Sequence, residues 1–363
     1  MLSDMLGFSS KQFLGGIIFL AVVGFVYYGP YSKSKKLNPA YLVGEYKTPK
    51  TKGKATLVAD NGHIIRRWPV PFSVHTFSHN NALPWQLAAV ENLGDSMAII
   101  DARIKNTVEA IKAPEGLVFS GHGIFSTQGD RLFIAAQDKK TAEGFLLIYD
   151  TETNALAKQV KTEGLNPHDL QYDLTNSKNL ILINAGSEQE KGQLLWLSEE
   201  DGKIVKSISF SEGLTVKHFS QSEKLIYLYG PSSFAMFNRK DEAIKIADWP
   251  SKNPQYAGEI LNAYQDVMNE KIWLTVPTKD LIVVLEQKTL AIAKTFAATK
   301  PASILASPLE NPELLMISVG TYGGEGMQKA YNLKNVSGSD AALDDPRKFY
   351  AEHATPLEVA IQE

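Results

Sequence analysis

The sequence predicts an all-β fold, a seven-bladed β-propeller preceded by one N-terminal transmembrane helix. Three observations predict it. Phe13 to Tyr28 is one uncharged apolar run, a strand–turn–strand unit recurs from about residue 40, and four of the 7 histidines fall at the period of that unit.

The apolar run reads FLGGIIFLAVVGFVYY and is ended by Gly29-Pro30. It is slightly short for a spanning helix, but Gly29 and Tyr31 extend it into the interface, where Tyr27 and Tyr28 would anchor. No small-x-small cleavage site follows, so residues 1–31 are expected to stay attached as a membrane anchor through residues 13–28. A cleaved signal peptide is the rival reading. Lys33, Lys35 and Lys36 follow the run against Lys11 before it, and the positive-inside rule taken alone keeps the domain cytoplasmic. Residues 32–40 read as a linker.

The repeat occupies residues 41–338. Its instances include AIIDARIKNTVEAI at 98–111, LLIYDTETNALAKQV at 146–160 and LLWLSEEDGKIVKSI at 194–208. The turn positions Asp60, Asp101, Asp150, Glu199, Asn238 and Glu286 are spaced by 41, 49, 49, 39 and 48 residues. A period of that length with several strands per unit is the signature of a propeller. A weaker instance, KAYNLKNVSG at 329–338, brings the expected number of blades to seven. One blade cannot bury both faces alone, so the ring must close, and closure is expected to pair the segment after residue 40 with the last blade. Residues 339–363 are polar and read as a tail outside the blades.

His75, His122, His168 and His218 are spaced by 47, 46 and 50 residues. Each stands just before what should be the innermost strand of its blade, so four imidazoles are expected to converge on the central axis. The chain has no cysteine, which excludes thiolate metal sites and cysteine nucleophiles. Imidazole without thiolate suits iron, copper, zinc or nickel. Iron and copper lead, with zinc left open. Asp169, beside His168, is placed to orient the rings. Two other readings of the four histidines stand beside metal binding: a polar pocket for a small molecule, and structural hydrogen bonds. His79 is near enough to join the site but is left out of it, and His63 and His353 read as solvated.

Three segments resemble a bacterial family of periplasmic seven-bladed propellers of unknown function, exported by the twin-arginine route and often encoded beside imelysin-type iron-uptake proteins. A GHG-x-FS motif maps onto Gly121 to Ser126, and a Gly-x-x-Pro-His-acid motif onto Gly164 to Asp169. A Leu-Ser-x-(Arg/Lys)-His motif maps onto Leu214 to His218, with Thr215 in place of Ser. The resemblance covers roughly residues 60–300. Ser9-Ser10-Lys11-Gln12-Phe13-Leu14 looks like a twin-arginine motif in which Ser-Lys replaces both arginines. The resemblance implies a propeller on the periplasmic side of the inner membrane, with membrane-complex or metal-uptake proteins as partners, against the orientation that the lysines favour.

Net charge −3 leaves no basic footprint for nucleic acid. Walker loops, dinucleotide fingerprints, nucleophile elbows and His-Glu-x-x-His are absent from the sequence. The leading expectation is therefore a membrane-anchored periplasmic propeller that binds iron or copper through four axial histidines, in metal handling or redox chemistry. A non-catalytic scaffold subunit of a membrane complex is the alternative, and a non-haem oxygenase-like enzyme the second.

Overall fold

The recurring apolar runs form antiparallel hairpins, as their turn chemistry dictates. Asp150 Oδ1 accepts the backbone N–H of Thr153 at 2.8 Å, and Asn238 Oδ1 accepts that of Lys240 at 3.0 Å. These Asx turns reverse the chain between two strands. In the computed structural model the described residues are 39–45, 53–59, 64–103, 108–231, 233–266, 270–298, 301–305, 314–319, 327–332 and 354–356.

Every described strand belongs to one of seven antiparallel sheets. In chain order, their innermost strands are Thr76–His79, Leu117–Phe125, Pro167–Asp173, His218–Gln221, Asn262–Asp266, Pro301–Leu305 and Ala354–Pro356. Leu117–Phe125 carries on its inner edge one extra short strand, Asn92–Gly94, donated by the preceding sheet. The turn residues Asp101, Asp150, Asn238 and Glu286 each end the third strand of a sheet, and Glu199 directly follows one.

Middle strands are apolar and buried, as in Arg131–Asp138 and Leu225–Gly230. Outermost strands are mostly exposed and carry Lys158, Lys161, Lys206, Lys245 and Lys294. Charged edges of this kind block pairing with foreign strands. The core lies between sheets. Val90 and Met97 of one sheet pack with Phe119 and Leu147 of the next, Leu146 packs with Leu182, and Ile183 with Leu228. Tyr227 packs with Ile272, and Ala55 and Trp68 with Phe77 and Leu87.

Each innermost strand contacts the next, and Ala354–Pro356 returns to Thr76–His79, so the arrangement is a propeller-like closed cycle. Ala354–Pro356 also pairs with the first strand, Tyr41 opposite Pro356 and Val43 opposite Ala354. This joins the segment after residue 40 to the C-terminal region, and it corrects the reading of residues 339–363 as a tail outside the blades. Three of those residues are a strand of the ring. A three-residue segment with a partner so distant carries no local pattern that marks it as a strand.

Among the described residues no helix is long and apolar enough to cross a membrane, and the expected anchor at residues 13–28 lies outside them.

Candidate metal centre

The innermost strands of four successive sheets bring His75, His122, His168 and His218 together. Ring centroids lie 5.3 Å apart for His75 and His122, 4.9 Å for His122 and His168, and 4.7 Å for His168 and His218. Across the cluster, His75 and His168 are 5.8 Å apart and His122 and His218 5.4 Å. One ligand atom each of His75, His122 and His168 lies within 4.8 Å of the other two. That triad does not include His218, whose ring stands beside it.

Local backbone explains the convergence. His75 precedes its strand, held by its N–H to the Val90 carbonyl at 2.8 Å. His122 lies inside its strand, not before it, in a register shift between Ile134 and Ala136. His168 lies in a shift between Pro167 and Leu170. Bulges of this kind re-aim side chains. His218 pairs with Tyr229 in unshifted register and stacks on its ring at 5.8 Å.

Gly121 makes room for the cluster. Its φ is +93°, and a Cβ there would run into the His75 ring. Its carbonyl accepts the buried Thr76 hydroxyl, which ties the first histidine's strand to the second's.

Asp169, the residue expected to orient the rings, lies against those of His122 and His218. Alternation along a strand sends adjacent side chains to opposite sides. Asp169 Oδ1 lies 3.3 Å from His122 Nδ1 and its Oδ2 3.9 Å from His218 Nδ1. It also accepts the Phe219 N–H at 3.0 Å and Gln171 Nε2 at 3.3 Å. Burial pushes its carboxyl up to about 7, partly offset by those hydrogen bonds. Burial, then the Asp169 charge, also raises the Tyr229 phenol. A carboxylate behind two imidazoles fixes their tautomer and strengthens them as donors.

The cluster separates two cavities. One, of about 780 Å³, is lined by His122, Asp169, His218, Tyr229 and Asn262 among others. The other, of about 700 Å³, meets only His168 of the four histidines and is bordered by Asn92, Leu93 and the 186–192 loop. His79 lines the larger cavity, but its ring bonds locally to Asn81 Oδ1 and the Pro84 carbonyl. His63 and His353 lie outside the residues whose side chains are described.

Sequence reasoning missed Tyr229 and Asn262, and it placed Gly121 in a motif without its role. Asn262 opens the innermost strand of the fifth sheet and pairs with Thr275 as His218 pairs with Tyr229. The signal was its position, 44 residues after His218.

A histidine set with no thiolate and an orienting carboxylate fits a transition-metal ion in its donor chemistry. Donors about 2.1 Å from one ion stand roughly 3.4 Å apart in a tetrahedron, a separation inside the 4.8 Å that bounds this triad.

No curated protein matches the chain. Among solved structures it is similar to Kuenenia stuttgartiensis hydrazine synthase, with a TM-score of 0.63 and 11% identity over 83% of this chain and 97% of that one. It is also similar to a chain of the mitotic checkpoint complex, with a TM-score of 0.55 and 12% identity over 72% and 74%. Both neighbours are β-propeller-like, and at such identities the likeness is one of fold alone. The family model described as "Protein of unknown function (DUF1513)" matches residues 68–344, a span that contains all four clustered histidines, and the chain belongs to that family.

Proposed function

We propose that the seven sheets are the blades of a seven-bladed propeller whose axial histidines bind one transition-metal ion, iron or copper before zinc. The protein would serve metal handling or redox chemistry from the periplasmic face of the inner membrane, anchored by residues 13–28. The observation that carries the metal reading is the triad His75, His122 and His168, whose ligand atoms lie within 4.8 Å of one another. His218 would stand beside that triad as a weaker fourth donor, and Asp169 would orient the rings of His122 and His218.

Such an ion would supply Lewis acidity or a one-electron couple. The chain's own residues hold the imidazoles in place, keep His75 and His218 buried, and leave His122 facing a cavity. The second reading, a metalloenzyme for a small substrate, draws on that cavity. It is lined in part by Phe77, Ile124 and Leu170 and reaches two of the imidazoles, within the size range of ligand pockets.

The test is metal analysis of the purified full chain beside a His122→Ala/His168→Ala double variant, with circular dichroism to check folding. We expect about one equivalent of iron or copper in the parent and nearly none in the folded variant. Equal metal in both would sink the proposal.

A further inference from the structure

The centre is not equally enclosed on its two sides. On one, only His168 borders a cavity, and the donated strand Asn92–Gly94 lies along the inner edge there. On the other, His122 and His218 border the 780 Å³ cavity together with Asp169, Tyr229 and Asn262. Three convergent imidazoles leave coordination positions open on most first-row metals, and the second side is the one with polar groups gathered around the space.

Those groups have a common character. Tyr229 stacks on His218 and lines the cavity beside Asn262. A phenol has a proton to donate. Asn262 holds in the fifth sheet the register position that His218 holds in the fourth, and its carboxamide carries two donor hydrogens. Charge points the same way. Neutral imidazoles cancel none of a divalent ion's charge, and among the described residues Asp169 is the only carboxylate lining this cavity. The space therefore favours an anion or another electron-rich acceptor.

We propose that the open side of the centre binds a small anion or hydrogen-bond-accepting molecule, bonded to the metal and seated between His122, His218, Tyr229 and Asn262. This rests on the metal reading above. Tyr229 and Asn262 are positioning residues for that ligand, and the ring of axial residues extends to five sheets, with the fifth turned from metal to ligand.

Azide is the probe. The full-length protein in detergent is loaded with copper(II), copper content is measured, and azide is titrated against the charge-transfer absorption it gives on the metal. Tyr229→Phe and Asn262→Ala are each expected to keep the parent's copper and to weaken azide about tenfold, the loss of one hydrogen bond to a charged group. Ser211→Ala, on the far cavity, should leave azide affinity unchanged. Parent-like azide affinity in both cavity variants at full copper content would overturn the ligand site and leave the metal centre standing. A Ser211→Ala loss as large as theirs would overturn the choice of side. A parent that takes up no metal would overturn the centre, and the ligand site with it.

Discussion

The fourth and fifth sheets hold different residues in one equivalent slot at the axis. Both begin their innermost strand at the same register, His218 opposite Tyr229 in one and Asn262 opposite Thr275 in the other. Both run as four antiparallel strands and share the apolar cluster that joins Tyr227 and Phe234 to Ile272 and Leu285. The scaffold is therefore indifferent to whether an imidazole or a carboxamide stands at the axis. A site built this way is written on the ring by single residues in a repeated slot, while stability resides in packing between sheets.

If that separation holds, scaffold variants should cost stability and spare the metal, and axial variants should do the reverse. The largest effect is expected for Arg239→Ala. Arg239 Nη1 lies 2.9 Å from Asp173 Oδ1 across the third and fourth sheets, and Trp196 Nε1 donates to the other Asp173 oxygen at 2.8 Å. Removing the guanidinium strands a buried carboxylate and should cost about 3 kcal/mol in urea unfolding. Metal per folded chain should not change, and a loss of metal would break the comparison.

Gly121→Ala comes next and should violate the separation, because this glycine serves both ends. Its positive φ and its contact with the His75 ring predict a loss of about 2 kcal/mol. Metal affinity should fall as well, which a competition titration would read. Unchanged affinity would mean that the His75 ring contributes little to the centre.

His218→Ala sharpens the distinction within the cluster. His218 stands outside the convergent triad, so its loss should weaken metal binding about tenfold, the scale of an orienting neighbour. His122→Ala should weaken it much further. Equal losses in the same titration would make His218 a full ligand.

The smallest effect is expected on the outer strands. Lys206 lies 4.7 Å from the Trp196 ring and pairs with Glu242, and Lys206→Ala should cost about 0.5 kcal/mol with metal unaffected.

Much of this architecture was legible in the sequence because its signals are local. The turn chemistry of Asp150 and Asn238 needs only the next few residues, so the hairpins could be read and their period counted. The histidines were legible because they occupy one slot of that period. What escaped depends on partners far away in sequence. The bulges at His122 and His168 show only against their neighbouring strands. Gly121 acquires its meaning from the His75 ring, 46 residues earlier. Asn262 was hidden for another reason, since an asparagine in a turn-rich chain draws no notice until its register is known. Asp169 could be named as an orienting group from its place beside His168, but which rings it meets, those of His122 and His218 across the sheet boundaries, shows only in the fold.

The pairing of Tyr41 with Pro356 carries a consequence for the order in which the molecule is made. The four histidine-bearing sheets are contiguous in sequence, and each packs on the one before it. They can therefore assemble during synthesis, as soon as residues 75 to about 246 have emerged. The strand Ala354–Pro356 can dock only later, and closing so long a loop for a three-residue contact places it among the slow, non-local events of folding. Assembly in that order would complete the axial cluster while the ring around it is still open, and a nascent chain would present its imidazoles before the last gap is shut.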